Sequence, residues 1–237
     1  MLEIHELKKH FGALKVIDGV DLRVERGEVL GVLGPNGAGK STLFNLISGN
    51  LQPTAGRVLF QERDVTRDRA WSRTRSGIGR TFQVPKPFGH LTVFENVLVG
   101  ATQRSGKSIA AARPDVNRIL EICNLGHKSR QHAGQLPLLD LKRLELAKAL
   151  SIEPSLLLLD EIAGGLTDHE CIALLEILET IKSEGVTIVW IEHVVHALMR
   201  VATRLVVLAD GSLIADGSPA AVMADSRVRD LYLGAAQ

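Results

Sequence analysis

Aromatic side chains are scarce in this 237-residue chain: six Phe, two Trp and one Tyr, 4% of the total. A surface that holds nucleic acid by base stacking needs more rings than that. Excess charge is missing too. Lys and Arg number 28 against 27 Asp and Glu, a formal net charge of +1, whereas a dedicated nucleic-acid binder carries a basic surplus. No nucleic-acid partner is expected. Only two cysteines occur, Cys123 and Cys171, far apart and with no CxxC neighbour. That argues against a disulfide framework or a cysteine-rich zinc site and leaves two core thiols as the ordinary reading. Long apolar runs are also absent. The tightest cluster, Leu156 to Leu159, ends in Asp160, while a spanning helix needs roughly 18 apolar residues in a row. The N-terminus, MLEIHELKKH, has acids where a signal peptide has an apolar stretch. The expectation is a chain that stays in the cytoplasm.

What is present is an ordinary globular composition, 45% hydrophobic and 23% charged, with 22 glycines that favour tight backbone turns. Val20 to Val24 alternates as a strand does, and Val29 to Leu33 reads as a buried strand. A glycine-rich turn and a helix near Lys40 to Ser48 follow, then a strand at Gly56 to Phe60. From about Pro85 to Ser151 the pattern becomes helical, with segments at Thr92–Val99, Pro114–Cys123 and Asp140–Leu150, punctuated by Pro85, Pro87, Pro114 and Pro137. Strand and helix then alternate again. Strands are read at Ser155–Leu159 and Thr187–Ile191, and helices at Asp168–Glu184, with Asp168 near its N-cap, and Val194–Val201. A hairpin is read at Leu205–Ala215 around Asp210-Gly211. Continuous apolar strands alternating with helices predict an α/β fold with a mostly parallel sheet covered on both faces. The division expected is one domain over residues 1–237, with a core at 1–84 and 152–237 and an inserted helical subdomain at about 85–151.

Gly34-Pro35-Asn36-Gly37-Ala38-Gly39-Lys40-Ser41-Thr42 matches G-x-x-x-x-G-K-[ST], between an apolar strand and a helix. Such a loop curls so that successive N–H groups converge on phosphate oxygens. Lys40 supplies a point charge to the β- and γ-phosphates, Ser41 Oγ can ligate Mg²⁺, and the helix N-terminus adds positive potential. Asp160 and Glu161 close the apolar run that begins at Leu156. The C-terminal ends of parallel strands are where ligands bind in open sheets. There Asp160 can hold Mg²⁺ through water, and Glu161 can orient and deprotonate an attacking water. Two acids ending a core strand would be the bland alternative.

Together these residues resemble the ATP-binding subunits of ABC transporters, over nearly the whole chain and in the right order. The resemblance implies a P-loop ATPase core with N-terminal antiparallel strands, and it brings in three more residues. Phe11, 23 positions before Gly34, falls where the family stacks an aromatic ring on adenine. Gln83 falls where the family's Q-loop glutamine reaches Mg²⁺ and the attacking water. His193 falls where its switch histidine contacts the γ-phosphate. Taken singly, each also reads as a core ring, a loop polar residue and a helix-start histidine. Arg80-Thr-Phe-Gln83, Phe88–Val97, Leu141–Leu150 and the tail Tyr232–Gly234 look like the first of the two ATP-binding subunits of branched-chain amino acid importers. The lipopolysaccharide-export ATPase is a near relative.

One motif departs from the family. Its Leu-Ser-Gly-Gly-Gln signature falls at Leu136-Pro137-Leu138-Leu139-Asp140. In the family that serine and the following N–H groups hold the γ-phosphate bound by the opposite subunit. Pro137 has neither hydroxyl nor N–H, and Leu138 and Leu139 add bulk. The next loop is altered as well, with Ile162 for a common Pro and Thr167 for a usual Asp or Asn. The resemblance therefore implies an ATP- and Mg²⁺-dependent hydrolase, peripheral on the inner face of the cell membrane. Its implied partners are permease subunits, docked at about Val84 to Leu98, a binding protein indirectly, and a second ATP-binding subunit with a complete signature. Two alternatives stay open: an ATP-binding regulatory partner with little hydrolysis, and an ATPase of lipopolysaccharide-export or iron–sulfur-assembly type.

Overall fold

Strand-patterned runs build two separate sheets, one from the N-terminal part alone and one that draws on both ends of the chain. The structure is a computed structural model and describes residues 1–233. In chain order the elements are β1 (Leu2–Phe11), β2 (Leu14–Val24), β3 (Val29–Leu33), α1 (Lys40–Ser48), β4 (Ala55–Phe60), β5 (Arg63–Asp64), α2 (Ala70–Ser76) and β6 (Ile78–Arg80). Three helices follow: α3 (Val93–Ser105), α4 (Ile109–Ile122) and α5 (Leu138–Leu150). The chain closes with β7 (Leu156–Asp160), α6 (Asp168–Ser183), β8 (Thr187–Ile191), α7 (Val195–Val201), β9 (Arg204–Ala209), β10 (Ser212–Gly217), α8 (Pro219–Ala224) and α9 (Ser226–Leu233).

The four-stranded sheet runs β2-β1-β4-β5, all antiparallel. The six-stranded sheet runs β10-β9-β3-β8-β7-β6 and is parallel except for the β9–β10 hairpin. That hairpin turns on Asp210 (φ 46°) and Gly211 (φ 75°), the paired positive φ of a tight two-residue turn. The central strands β3, β7 and β8 are buried throughout, as their unbroken apolar runs require. Alternate side chains serve two cores. Val29, Leu33, Leu157, Leu159, Ile188 and Trp190 face the helical side. Leu30, Val32, Leu156, Leu158, Val189 and Ile191 face α1 and the antiparallel sheet. Each such fully buried Leu, Ile or Val stabilises the fold by about 1.5–3 kcal/mol relative to an exposed one. Cys123 and Cys171 are both buried and unbridged, and burial pushes the Cys123 thiol up to about 12.

Two helix starts are informative. α4 begins at Ile109, not near Pro114, so that proline lies inside the helix. Its lost hydrogen bond is offset by Ser108, whose hydroxyl accepts from Ala111 N–H, and by burial of Ala112, Val116, Ile119 and Leu120. The cap of α6 is Thr167, in keeping with Asp168 lying near the N-cap. Its hydroxyl accepts from Glu170 N–H while the Glu170 carboxylate accepts from Thr167 N–H at 2.9 Å, a reciprocal capping box. Of the tail motif Tyr232–Gly234, Gly234 lies outside the described residues. Among the described residues no helix is long and apolar enough to cross a membrane.

Candidate functional site

The loops that carry the phosphate-loop residues, Glu161, His193 and Gln83 leave the same edge of the parallel sheet. The glycine-rich loop follows β3, Glu161 follows β7, His193 follows β8, and Gln83 comes three residues after β6. β3 and β7 flank β8, with Val32 and Asp160 both in register with Ile191. Parallel pairing thus aligns the strand ends, and the residues just beyond them converge.

The loop from Gly34 to Gly39 is shaped by its glycines. At Gly34 (φ 152°) a Cβ would lie 2.1 Å from the Leu208 carbonyl oxygen, and at Gly39 (φ 100°) 2.7 Å from that of Val16. Side chains would therefore break the loop at both positions. Gly39 caps α1 without a side-chain acceptor, so the first-turn N–H groups remain available to an anion. Asn36, Gly37 and Ser41 are exposed, Thr42 is half-buried and Ala38 is buried. Lys40 is buried, and its Nζ donates to the carbonyls of Gly34 (2.6 Å) and Pro35 (2.9 Å). Burial lowers its pKa, and the charges of Glu161 and Asp160 oppose that shift.

Asp160 and Glu161 diverge at the strand end. The Asp160 side chain is 8% exposed and its Oδ2 accepts from Arg80 Nη2 at 3.0 Å. Glu161 adopts φ 46°, a left-handed conformation uncommon outside glycine. That twist lets Glu161 N–H donate to the Ile191 carbonyl (2.9 Å) and turns the carboxylate toward Gln83 and His193. Gln83 Nε2 donates to Glu161 Oε2 at 2.5 Å, and His193 Nδ1 lies 3.7 Å from the same oxygen. These three side chains, far apart in sequence, line one open pocket with Lys142, Gly164 and Gly165. Phe11 ends β1 with its ring 49% exposed and Lys9 Nζ 5.0 Å from its centroid. The strand after its turn carries Val16, whose carbonyl abuts Gly39, so the hairpin holding Phe11 packs beside the glycine-rich loop.

Two further residues organise the site without having been singled out from sequence. Glu192 is completely buried, and its carboxylate accepts from the backbone N–H groups of Ala163 (2.9 Å), His193 (3.0 Å) and Val194 (3.4 Å). It ties the turn after Glu161 to the turn holding His193. Lys142 Nζ donates to the carbonyls of Gln83 (2.9 Å) and Glu161 (3.1 Å). Burial lowers its pKa, with Glu192, Glu161, Asp160 and Glu145 opposing. Glu192 stands next to His193 in sequence, but only burial distinguishes it from a surface acid.

The start of α5 has a different character. Pro137 occupies the cap with no side-chain hydrogen bond. Leu138 is 43% exposed and leans on Gly165. Asp140 turns inward, where its carboxylate pairs with Lys128 and, at 3.2 Å, with Arg143. The Pro137–Asp140 segment offers apolar surface and a sequestered carboxylate where the family offers a hydroxyl and glycine N–H groups.

The donors present suit a hard cation shared with phosphate. Ser41 Oγ, Asp160 and Gln83 supply oxygens, and the glycine-shaped cradle beside Lys40 supplies the anion site. Among the described residues no group of three His, Cys, Asp or Glu could hold a metal on its own. Mg²⁺ fits that pattern, because it binds through one or two protein oxygens plus substrate phosphates and water.

Comparison with known proteins finds relatives over nearly the whole chain. Residues 17–164 match the family model for ABC transporters, and residues 212–237 match one described as branched-chain amino acid ATP-binding cassette transporter. A probable branched-chain amino acid transport ATP-binding protein, LivG of Archaeoglobus fulgidus, is 34% identical over 99% of this chain and 96% of its own length. The high-affinity branched-chain amino acid transport ATP-binding protein BraF of Pseudomonas aeruginosa is 33% identical over 100% and 98%. The lipopolysaccharide export ATP-binding protein LptB of Escherichia coli is 30% identical over 98% and 97%. A solved ATP-binding cassette of an ABC transporter in its ADP conformation superposes with a TM-score of 0.90, at 31% identity over 99% of this chain and 98% of that one.

Proposed function

The chain belongs to the ATP-binding subunits of ABC transporters, and we propose that it powers an importer of branched-chain amino acids or chemically related solutes, as one half of an asymmetric ATPase pair. As a member of that family it is an ATPase that uses ATP with Mg²⁺, works with membrane permeases and dimerises. The branched-chain assignment is supported by full-length similarity to LivG and BraF and by the family match at residues 212–237.

In this reading Phe11 stacks on adenine. Lys40, the N–H groups from Asn36 to Thr42 and the start of α1 hold the phosphates. Ser41, Asp160 and Gln83 hold Mg²⁺, which neutralises phosphate charge when bound. Glu161 takes a proton from the attacking water, Gln83 orients that water, and His193 contacts the terminal phosphate. Glu192 fixes the His193 backbone relative to the turn after Glu161. One domain is proposed for residues 1–237, with residues 1–84 and 152–237 as ATPase core and about 85–151 as helical subdomain. Val84 (67% exposed) and Phe88 (46% exposed) begin an apolar surface, which receives a permease on the inner face of the membrane within the Val84–Leu98 segment.

One observation carries the asymmetry. Lys40, Glu161, Gln83 and His193 converge at one sheet edge, while the facing element of the family's trans contact, the start of α5, presents Pro137 and Leu138. Two copies of this chain would have two impaired sites. A partner with Ser-Gly-Gly in that place completes one. Turnover of the purified chain alone is expected to be low and to rise at least tenfold on mixing with a complete-signature ATP-binding subunit of the same transporter. Equal turnover alone and mixed would remove the case for asymmetry.

A further inference from the structure

We propose that Arg80 is a positioning residue that locks the phosphate-loop helix and Asp160 into the spacing that a bound cation needs. The inference rests on the reading that Ser41 and Asp160 are cation ligands. Arg80 is the last residue of β6, at the edge of the six-stranded sheet and in register with Leu158 of β7. That register puts its side chain on the same sheet face as Leu158, the face that packs against α1. The Arg80 side chain is 10% exposed, and its guanidinium engages two elements at once. Nη2 donates to Asp160 Oδ2 at 3.0 Å; Nη1 donates to Asn45 Oδ1 at 2.6 Å and Ser48 Oγ at 3.0 Å.

The helical partners are what give this contact a function. Ser41, Asn45 and Ser48 are spaced i, i+4, i+7 on α1 and therefore share one face. The fork of Arg80 thus grips the stripe of α1 that carries the Ser41 hydroxyl and ties it to the carboxylate at the end of β7. The guanidinium carbon also lies 5.8 Å from the Phe44 ring centroid and 5.3 Å from that of Phe82, and Phe82 is the neighbour of Gln83. All three residues read as cation ligands are therefore on segments that touch this one side chain. Thr81, the next residue and itself buried, repeats the tie by accepting from Asp160 N–H at 3.1 Å.

A planar fork is needed, not merely a positive charge. A lysine offers one compact ammonium and cannot reach two elements with fixed geometry. Without Arg80 the buried Asp160 carboxylate loses both its ion pair and its fixed position relative to α1.

The test is ADP affinity of the full chain by calorimetry, with saturating Mg²⁺ and with EDTA. Mg²⁺ is expected to tighten ADP binding to the unaltered chain, and Asp160→Asn to abolish that tightening. Arg80→Met and Arg80→Lys are both expected to abolish it too, with affinity in EDTA within about threefold of the unaltered chain. Asn45→Ala cuts only the α1 end of the brace, leaves no charge unpaired, and is expected to weaken the tightening severalfold with unchanged thermal stability. The brace is overturned if both Arg80 variants keep the tightening, if they strengthen it, if Lys restores it fully, or if Asn45→Ala leaves it intact. If instead Asp160→Asn leaves the tightening intact, the cation-site reading falls, and the brace with it.

Discussion

At the start of α1 the chain places Gly34, Gly37 and Gly39 at positive φ, a buried lysine and an uncapped first turn. At the start of α5 it places Pro137, Leu138, Leu139 and an acid folded back onto Lys128 and Arg143. Both are helix N-termini with the same dipole, and in the family both face phosphate. The dipole alone therefore decides little. What separates the two is whether backbone N–H groups can approach an anion, and that depends on the absence of side chains. Asp140 adds to the contrast by placing in the first turn an acid whose charge is already paired with Lys128 and Arg143.

The sharpest way to break this comparison is to disable the complete half. In the assembled pair Glu161→Gln is expected to lower turnover by about 10²-fold or more, the loss typical of a missing general base. The matching substitution in the partner is expected to cost far less, because that site would use the Pro137–Asp140 surface. Equal losses in steady-state phosphate release would erase the distinction between the two halves. Next in size is Lys40→Ala. Charge-assisted hydrogen bonds contribute roughly 1.5–3 kcal/mol, so ATP affinity is expected to fall by about 10- to 100-fold in calorimetry, while Leu138→Ala leaves it unchanged in the isolated chain.

How much of this was legible in advance follows from how local each feature is. The glycine-rich loop is one contiguous stretch whose residue types dictate its backbone, and the helix read after it, near Lys40–Ser48, is α1. The buried strands β3 and β8 were equally plain, because continuous apolar runs have few other uses. Glu192 and Arg80 were not, since their roles arise from partners 29 and 80 positions away. Arg73 shows the same limit from the stability side. Nothing local in the sequence marks it, yet it is completely buried and donates to the carbonyls of Leu46, Ile47, Thr66 and Asp68. Burial pushes its pKa down to about 10. Helix α2 and the three-residue β6 leave no sequence signature for a related reason, being too short for any hydrophobic period to register.

The incomplete half can also be repaired. Pro137→Ser with Leu138→Gly and Leu139→Gly restores the family's residue types at the start of α5. If side-chain bulk and the missing hydroxyl are what disable this surface, the triple variant alone should hydrolyse ATP several times faster than the unaltered chain. The substitutions also make opposite demands on α5. A serine cap stabilises a helix by about 0.5–2 kcal/mol, whereas each glycine in the first turns costs up to about 1 kcal/mol. Pro137→Ser alone is therefore expected to raise the unfolding midpoint in urea, and the triple variant to lower it. A repaired surface with no gain in turnover would place the defect elsewhere, in the turn from Ala163 to Thr167.

That turn gives the smallest effect and the most specific one. Thr167 departs from the family's usual Asp or Asn, yet here it caps α6 through its hydroxyl, with Glu170 closing the box. Thr167→Ala is expected to cost about 0.5–2 kcal/mol in urea unfolding, with ADP affinity unchanged. Glu170 has its pKa lowered, first by the Thr167 backbone N–H and then by the Thr167 hydroxyl. A carboxyl lowered in the folded state stabilises above its unfolded value and loses that contribution as pH falls through its folded one. The penalty of Thr167→Ala should therefore shrink as pH is lowered below about 4.5, the ordinary value for Glu. A penalty independent of pH would mean that the hydroxyl acts as a cap on its own, without the Glu170 carboxylate. A change in ADP affinity would instead make Thr167 part of the nucleotide half and blur the division drawn between the two helix starts.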